Sequence, residues 1–263
     1  MINYKFIERV REQRNVPEET IEKDYVIEIL LSGLGQEKSL HKDLVFRGGT
    51  ALKKVYFPDF RYSEDIDFVT RHTGRLNVFA RKFRLILEMI AEKFQITLEQ
   101  KISFLQKGHL QLFIFYDIVQ EIRMEKKVKI DIVEDDCVLP FRERELKFSF
   151  FDFSDLKVLV NTYDLESIGV EKIGRILDVV DEPRDLWDLL HLLKLKIKIP
   201  ALKTTFKKKY GAEIYLPNLL KAIKKPNYKK NWDIRLRNQL PELTEYSEVI
   251  DELETLIKSK FKL

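Results

Sequence analysis

A glycine turn and a pair of acidic side chains lie close together in the first third of this sequence. Gly48, Gly49 and Thr50 form the turn, and Asp65 and Asp67 follow within twenty residues. Glycines let backbone N–H groups approach a phosphate, and the helix expected after the turn adds further N–H groups and the Thr50 hydroxyl. Residues i and i+2 of an extended strand share a face, so the two carboxylates converge and attract Mg²⁺ or Mn²⁺. The two motifs together indicate chemistry on a nucleoside triphosphate.

Each motif has a structural alternative when taken alone. Acid-x-acid triplets arise by chance in a chain with 34% charged residues, and two glycines can form an ordinary strand-to-helix turn. The sequence also lacks the G-x-x-x-x-G-K-[ST] pattern, which argues against a P-loop ATPase. The prediction therefore depends on the combination of the two motifs.

A third acid, Asp131, lies in a segment that alternates like a strand. In Lys127–Val133 the apolar residues 128, 130 and 132 share one face, and Asp131 lies on the other. If this strand lies beside that of Asp65 and Asp67, three carboxylates meet and could hold two metal ions. The alternative is an exposed sheet residue near the acids at 134–136.

Lys172 and Asp185 are candidate site residues in the second half of the chain. Lys172 lies on a predicted helix, and Asp185 lies at the start of the next one. A lysine that faces the cleft could neutralise a triphosphate, whose leaving group gains negative charge in the transition state. The alternatives are a solvated lysine and a helix-start acid that is stabilised by the helix dipole.

Composition limits the class of protein and suggests a polyanionic partner. The 263 residues are 44% hydrophobic with a net charge of +4, and Cys137, the single cysteine, cannot form an internal disulfide. No apolar run approaches the roughly 18 residues of a membrane helix, so we expect no membrane partner and a cytoplasmic location. The segment from Lys194 to Lys230 contains twelve lysines and one acid, Glu213. Such a basic segment suits RNA as a partner. A solvated lysine face is the alternative.

The order of predicted elements indicates an α+β fold. A mixed β-sheet core flanked by helices is expected over residues 1–163, and a helical lobe that completes the active site and carries a basic face over 164–263. The predicted helices are Pro17–Leu34, Thr50–Val55, Leu76–Ile90, Leu165–Val179, Pro183–Lys194 and Pro241–Phe261. The predicted strands are Ile66–Thr70, Ile96–Leu105, Leu110–Asp117, Lys127–Val133, Leu146–Phe151 and Lys157–Tyr163.

Four segments in a fixed order carry a resemblance to a known family. They are Phe46-Arg47-Gly48-Gly49-Thr50-Ala51-Leu52-x-Lys54, Arg61-x-Ser63-x-Asp65-Ile66-Asp67, Glu171-Lys172 and Pro183-Arg184-Asp185-Leu186-Trp187-Asp188-Leu189. This set resembles the AbiEii/AbiGii toxin family of nucleotidyltransferase-like proteins, which includes the MenT-type toxins. Ile21-Glu22-Lys23-Asp24-Tyr25 is similar to the family's opening helix. Arg47 stands where lysine is more usual.

The resemblance implies a polymerase-β-like core that binds a nucleoside triphosphate with Mg²⁺. Members of the family are toxins with a separately encoded antitoxin, and some add nucleotides to the 3′ end of tRNA. By this resemblance Asp65 and Asp67 would bind metal, Lys172 would contact phosphates, and Asp185 would be a catalytic-site acid. Ser63 would lie beside the metal pair.

Three hypotheses follow from the sequence. The first is a metal-dependent nucleotidyltransferase toxin that acts on RNA, with tRNA as the expected acceptor. The second is the same reaction on a protein or a small molecule. The third is a non-catalytic protein that binds a nucleotide or a partner on this scaffold.

Overall fold

The computed structural model describes residues 2–35, 37–122, 126–178, 180–195 and 197–262. The chain divides into two compact units, Met1–Thr162 and Tyr163–Leu263. Every helix within the described ranges is too short or too polar to cross a membrane.

The first unit is built around a mixed sheet. Its described residues give seven strands in the order β3-β4-β5-β2-β1-β7-β6. The strands are β1 (Val45–Arg47), β2 (Asp65–Thr70), β3 (Leu98–Gln106), β4 (His109–Tyr116), β5 (Lys127–Glu134), β6 (Phe141–Glu145) and β7 (Leu159–Tyr163). The β2–β5 and β1–β7 pairs are parallel, whereas the β1–β2, β3–β4 and β4–β5 pairs are antiparallel. The predicted mixed sheet with flanking helices is confirmed.

Alternating burial explains why the central strands form where the sequence predicts them. In β5, Val128, Ile130 and Ile132 are fully buried, whereas Lys129 and Asp131 are only partly buried on the opposite face. This period of two leaves one face of the strand for polar side chains. The site residues of β5 lie on that face.

The first unit also contains several α-helices. They are α1 (Tyr4–Arg14), α2 (Glu18–Leu34), α3 (Lys38–Asp43), α4 (Gly48–Ala51) and α5 (Leu76–Phe94). Helix α2 begins after Pro17 with Glu18 and Glu19 in its first turn, where acids suit the helix dipole. Helix α4 begins at Gly48 rather than at the predicted Thr50, and it continues as a π-helical turn, Leu52–Tyr56.

A buried ion cluster connects α2 to the turn that follows α4. Lys54 Nζ lies 2.7 Å from carboxylate oxygens of both Asp24 and Glu28, and all three side chains are almost completely buried. Burial raises the pKa of Glu28, and the nearby Lys54 ammonium opposes this shift. Charges so deeply buried are tolerated because they are paired.

The predicted strand at Leu146–Phe151 is wrong. The backbone N–H groups of Ser149 and Phe150 donate to the carboxylate of Glu28, at 2.8 and 3.1 Å. A buried side chain therefore takes the hydrogen bonds that a neighbouring strand would otherwise accept. The strand in this region is β6, whose charged sequence Phe141–Glu145 suits its position at the sheet edge.

The second unit is helical in its described residues. Its helices are α6 (Leu165–Leu177), α7 (Pro183–Lys194), α8 (Ile199–Tyr210), α9 (Leu216–Ala222), α10 (Pro226–Leu236) and α11 (Tyr246–Phe261). The predicted end of α6 at Val179 lies outside the described residues. The predicted start of the last helix at Pro241 is wrong. Residues 241–245, which precede α11, are irregular, and the carbonyl of Thr244 accepts a hydrogen bond from Trp232 at 2.9 Å.

Candidate active site

The glycine turn lies directly against one of the predicted metal-binding aspartates. Gly48 follows β1 with a φ of 79°, in the left-handed region that favours glycine. A Cβ atom at Gly48 would lie 2.5 Å from Oδ2 of Asp67, so any side chain here would displace the carboxylate. The two motifs that are separate in sequence therefore share one location.

Gly49 brings a guanidinium and a hydroxyl to the same turn. A Cβ atom there would lie 2.6 Å from Nη2 of Arg61 and 3.4 Å from Oγ of Ser63. Arg61 is 4% exposed, and its Nη1 donates to the carbonyl of Tyr62 at 3.0 Å. The turn thus combines bare backbone with a buried positive charge, a combination that favours an anion.

Thr50 fixes the turn to the strand that carries the aspartates. Its side chain is buried, and its hydroxyl donates a short hydrogen bond to the backbone carbonyl of Asp65. This contact sets the position of α4 against the start of β2. A contact between Thr50 and a triphosphate stays a prediction.

The three predicted acids of the first unit lie on two adjacent strands. Strands β2 and β5 are parallel, and Asp67 pairs with Asp131 in register, while Asp65 pairs with Lys129. All four positions have the same parity in their strands, so the side chains share one face of the sheet. Asp65 and Asp67 are partly exposed there.

Lys129 lies among these carboxylates and was not predicted as a site residue. Its Nζ is 2.8 Å from Oδ2 of Asp131 and 3.5 Å from Oδ2 of Asp65. Burial works against its charged form, but the attraction of Asp65 is the main cause that raises the pKa of Lys129. Its alternation with Asp131 was visible in the sequence, but its distance to Asp65 depends on strand pairing. The lysine partly neutralises the acidic face.

Asp131 is held by several donors of the sheet. Besides Lys129, Gln111 Nε2 donates to Oδ1 of Asp131 at 3.1 Å, and His109 Nε2 lies 3.1 Å from the same oxygen. Burial tends to raise the pKa of Asp131, but the hydrogen bonds from Lys129 and Gln111 outweigh it and lower the pKa below its usual value. Asp131 is therefore ionised and already well supplied with partners.

The donor set fits a divalent cation at Asp65 and Asp67. Among the residues that the structure describes, no group of three or more His, Cys, Asp or Glu side chains forms a ready metal cluster. Mg²⁺ commonly takes only one or two protein carboxylates and completes its shell with waters and substrate phosphates. The Asp65–Asp67 pair meets that requirement beside the Gly48 turn, whereas a metal contact for Asp131 stays a prediction.

Lys172 and Asp185 meet in a second charged cluster, within the helical unit. Lys172 Nζ on α6 lies 2.7 Å from Oδ1 of Asp185 and 2.7 Å from Oδ2 of Asp188, both on α7. Arg175 Nε lies 2.7 Å from Oδ2 of Asp185. The two aspartates are almost completely buried, while the Arg175 side chain is about half exposed. The predicted roles of Lys172 and Asp185 in phosphate contact and catalysis stay predictions.

Asp188 belongs to a segment that carries the family resemblance, but neither it nor Arg175 was predicted as a site residue. Asp188 is 0% exposed and lies three residues after Asp185, so both carboxylates lie on the same side of α7. Two cations and two anions then balance, and of the four only Arg175 is substantially exposed. The i, i+3 spacing from Asp185 indicates that Asp188 lies on the same side of the helix. Its role follows only from its contact with Lys172 on α6.

Comparisons with known proteins give a consistent assignment. A family model described as "Nucleotidyl transferase AbiEii toxin, Type IV TA system" matches residues 29–257. The nucleotidyltransferase toxin MenT4 of Mycobacterium tuberculosis H37Rv superposes with a TM-score of 0.72 at 14% identity, covering 100% of this chain and 91% of that chain. A candidate nucleotidyltransferase from H. pylori superposes with a TM-score of 0.59 at 15% identity, covering 93% and 95%. A search of curated proteins gave no significant match.

Proposed function

Because the chain belongs to the AbiEii nucleotidyltransferase toxin family, we propose that it transfers nucleotides from a nucleoside triphosphate to RNA. Nucleotidyltransferase activity and membership of a toxin–antitoxin system follow from the family, which also implies a separately encoded antitoxin. The acceptor, the metal and the residue roles are our proposal. An RNA acceptor would be met in the cytoplasm, where we propose that the protein acts.

The contact between Gly48 and Asp67 is the observation that supports this proposal most strongly. A cradle for phosphates and a carboxylate pair for a cation are useful to one reaction only if they adjoin. The distance of 2.5 Å from a Cβ at Gly48 to Asp67 Oδ2 puts them side by side. The Arg61 guanidinium next to Gly49 adds a positive charge at the same turn.

In the proposed reaction a hydroxyl of the acceptor attacks the α-phosphorus of the triphosphate. A new O–P bond forms as the hydroxyl proton passes to water, the α–β anhydride bond breaks, and pyrophosphate leaves with the electron pair. Asp65 and Asp67 would hold Mg²⁺ or Mn²⁺, and a bound cation would neutralise phosphate charge and lower the pKa of the attacking hydroxyl. The backbone of Gly48 and Gly49 leaves room for the phosphate oxygens.

The remaining residues position this arrangement. Thr50 holds the turn to β2 through the carbonyl of Asp65, and Ser63 lies beside Gly49. We assign Lys172 to phosphate contact, with Asp185 and Asp188 holding its ammonium in place. In this role Asp185 acts through Lys172 rather than on the substrate.

The charge of the helical unit supports RNA as the acceptor. Twelve lysines against one acid between Lys194 and Lys230 suit the phosphate backbone, which proteins bind mainly through positive charge. Within RNA, the 3′ end of tRNA is the acceptor that we propose. A protein or small-molecule acceptor would make no use of so many lysines.

The test is a transfer assay that leaves the acceptor open. Purified protein is incubated with Mg²⁺, each of the four α-³²P-labelled nucleoside triphosphates, and separate pools of tRNA, other RNA and protein. We expect label in tRNA with at least one nucleotide, and loss of that label in Asp67→Asn. Asp136→Asn, an exposed acid near the end of β5, is the matched control and should keep full activity.

Two results would contradict the proposal. Label only in the protein pool would support the second hypothesis over transfer to RNA. No label in any pool, together with unchanged toxicity of Asp67→Asn in cells, would favour the non-catalytic reading.

A further inference from the structure

A wide groove in the helical unit is not used by the reaction described above. It has a volume of about 710 Å³ and lies between α6, α8 and α9. Its lining includes Gly174, Phe206, Tyr210, Tyr215, Lys221 and Lys225. Volumes of this size are typical of sites for drug-sized ligands.

Aromatic rings form the floor and edge of this groove. The rings of Phe206 and Tyr210 pack with centroids 4.6 Å apart, and Tyr210 is 44% exposed. Tyr215 is 63% exposed, although aromatic rings are normally well buried. Two exposed rings on one groove form an apolar surface on which a planar group of a partner can stack.

Gly174 makes room for the Tyr210 ring. A Cβ atom at Gly174 would lie 2.0 Å from Oη of Tyr210 and 2.4 Å from its Cζ. The hydroxyl end of the tyrosine ring therefore lies against the bare backbone of α6. Gly174 is only two residues after Lys172, which belongs to the charged cluster of the proposed active site.

Helices α8 and α9, which line the groove, carry lysines and no acids. Lys221 and Lys225 line it, and Lys207, Lys208 and Lys209 follow Phe206 on α8. Two acids also line it. The Glu213 carboxylate is paired with Lys207 at 3.0 Å, and Lys225 donates to the carbonyl of Asp178 at 2.7 Å. The groove is thus aromatic in its centre, its lining carries two lysines and two acids, and three further lysines lie in the last turn of the helix that supplies Phe206 and Tyr210.

We infer that this groove binds an unpaired base of the RNA acceptor, stacked on Tyr210 and Tyr215 with the adjoining phosphates near the lysines. This inference rests on the RNA acceptor proposed above. Aromatic side chains between positive charges are the usual means of holding single strands, since every base has a flat face. A duplex offers no free base face, so the groove selects single-stranded RNA.

The test measures RNA binding without any nucleotide, so that it does not depend on transfer. Fluorescence anisotropy compares a labelled 12-nucleotide single-stranded RNA with the same sequence as a duplex. We expect wild type to prefer the single strand, and Tyr215→Ala to bind it about 5- to 100-fold more weakly. Tyr215→Phe keeps the ring and should stay within about threefold of wild type.

Matched controls separate stacking from general effects. Ile234→Ala removes another highly exposed apolar side chain of the same unit, 75% exposed and outside the groove lining, and should leave binding unchanged. Lys221→Gln should reduce the slope of log Kd against log salt concentration by about one, the amount expected for the loss of one phosphate contact. Because Tyr215 is largely exposed, its variants should unfold at the wild-type temperature.

Three outcomes would overturn the inference. They are equal affinity for single strand and duplex, binding of Tyr210→Ala and Tyr215→Ala within twofold of wild type, and no RNA binding at all. The first two would assign the groove to another occupant, such as an apolar small molecule or a protein segment. Failure of the proposed function would show separately, as absent label transfer by a wild type that still binds single strands through Tyr215.

Discussion

Replacing Gly48 with alanine perturbs the contact that joins the glycine turn to the acidic pair. Two effects are expected, because Gly48 has a φ of 79° and its added Cβ would lie 2.5 Å from Oδ2 of Asp67. The left-handed backbone costs a non-glycine residue about 1–2 kcal/mol, partly offset by the loss of freedom in the unfolded chain. We therefore expect a net destabilisation of about 1 kcal/mol.

The contact with Asp67 affects activity more than stability. The carboxylate oxygen must move by about 0.9 Å to reach an ordinary contact distance of 3.4 Å from the new Cβ. A carboxylate can rotate away at little cost in folding free energy, but the rotation removes it from its position in the site. Displacements on the order of 1 Å reduce catalysis about 100-fold, which is the loss that we expect for Gly48→Ala.

Gly74→Ala is the matched control, because Gly74 has a φ of 72° and nothing lies within 4 Å of its added Cβ. Urea unfolding should give similar losses of stability for both variants, and the label-transfer rate should fall only in Gly48→Ala. Transfer by Gly48→Ala within threefold of Gly74→Ala would refute the reasoning that links the turn to Asp67.

Three further predictions concern the charged clusters. Lys54→Met leaves two buried carboxylates without their cation, so urea unfolding should show a loss of about 3–5 kcal/mol. Lys129→Gln removes a hydrogen bond that lowers the pKa of Asp131, so an NMR titration should show that pKa rise. A depressed carboxyl pKa contributes stability that is present above the unfolded-state value and is lost as pH falls through the folded-state value. The variant should therefore lose part of this contribution at neutral pH. Asp188→Asn leaves Lys172 with one carboxylate and should cost about 1–3 kcal/mol in the same unfolding assay.

One control and three contradicting outcomes apply to these predictions. Lys5→Met removes an exposed lysine from α1 and should leave the stability unchanged. If Lys54→Met behaved like it, the buried ion cluster would contribute nothing. An unchanged Asp131 pKa in Lys129→Gln would mean that Gln111 and His109 dominate. Full stability in Asp188→Asn would show that Asp185 alone satisfies Lys172.

Local patterns predict the elements of this fold well, because burial on one face sets the period of each segment. The alternation of Lys127–Val133 and the proline and acids at the start of the helix after Pro17 both give the observed elements. Leu146–Phe151 fails for a non-local reason. Its backbone donors bind the carboxylate of Glu28, more than a hundred residues away in sequence.

The candidate site shows the same division between local and non-local information. Residue types and spacing indicate Asp65 and Asp67, and the family resemblance adds Lys172 and Asp185. The register that brings Asp131 opposite Asp67, and Lys129 opposite Asp65, is a property of strand pairing that no single segment contains. Asp188 is missed because its partner Lys172 lies on a different helix.

The most direct test of the central claim measures metal binding rather than activity. Mn²⁺ is titrated by electron paramagnetic resonance in the presence of an α,β-methylene nucleoside triphosphate, which cannot release pyrophosphate. We predict nucleotide-dependent Mn²⁺ binding by wild type and by Asp135→Asn/Asp136→Asn, and its loss in Asp65→Asn/Asp67→Asn. Equal Mn²⁺ binding by all three proteins would contradict the account, since the metal and the triphosphate would then lie away from the Gly48 turn.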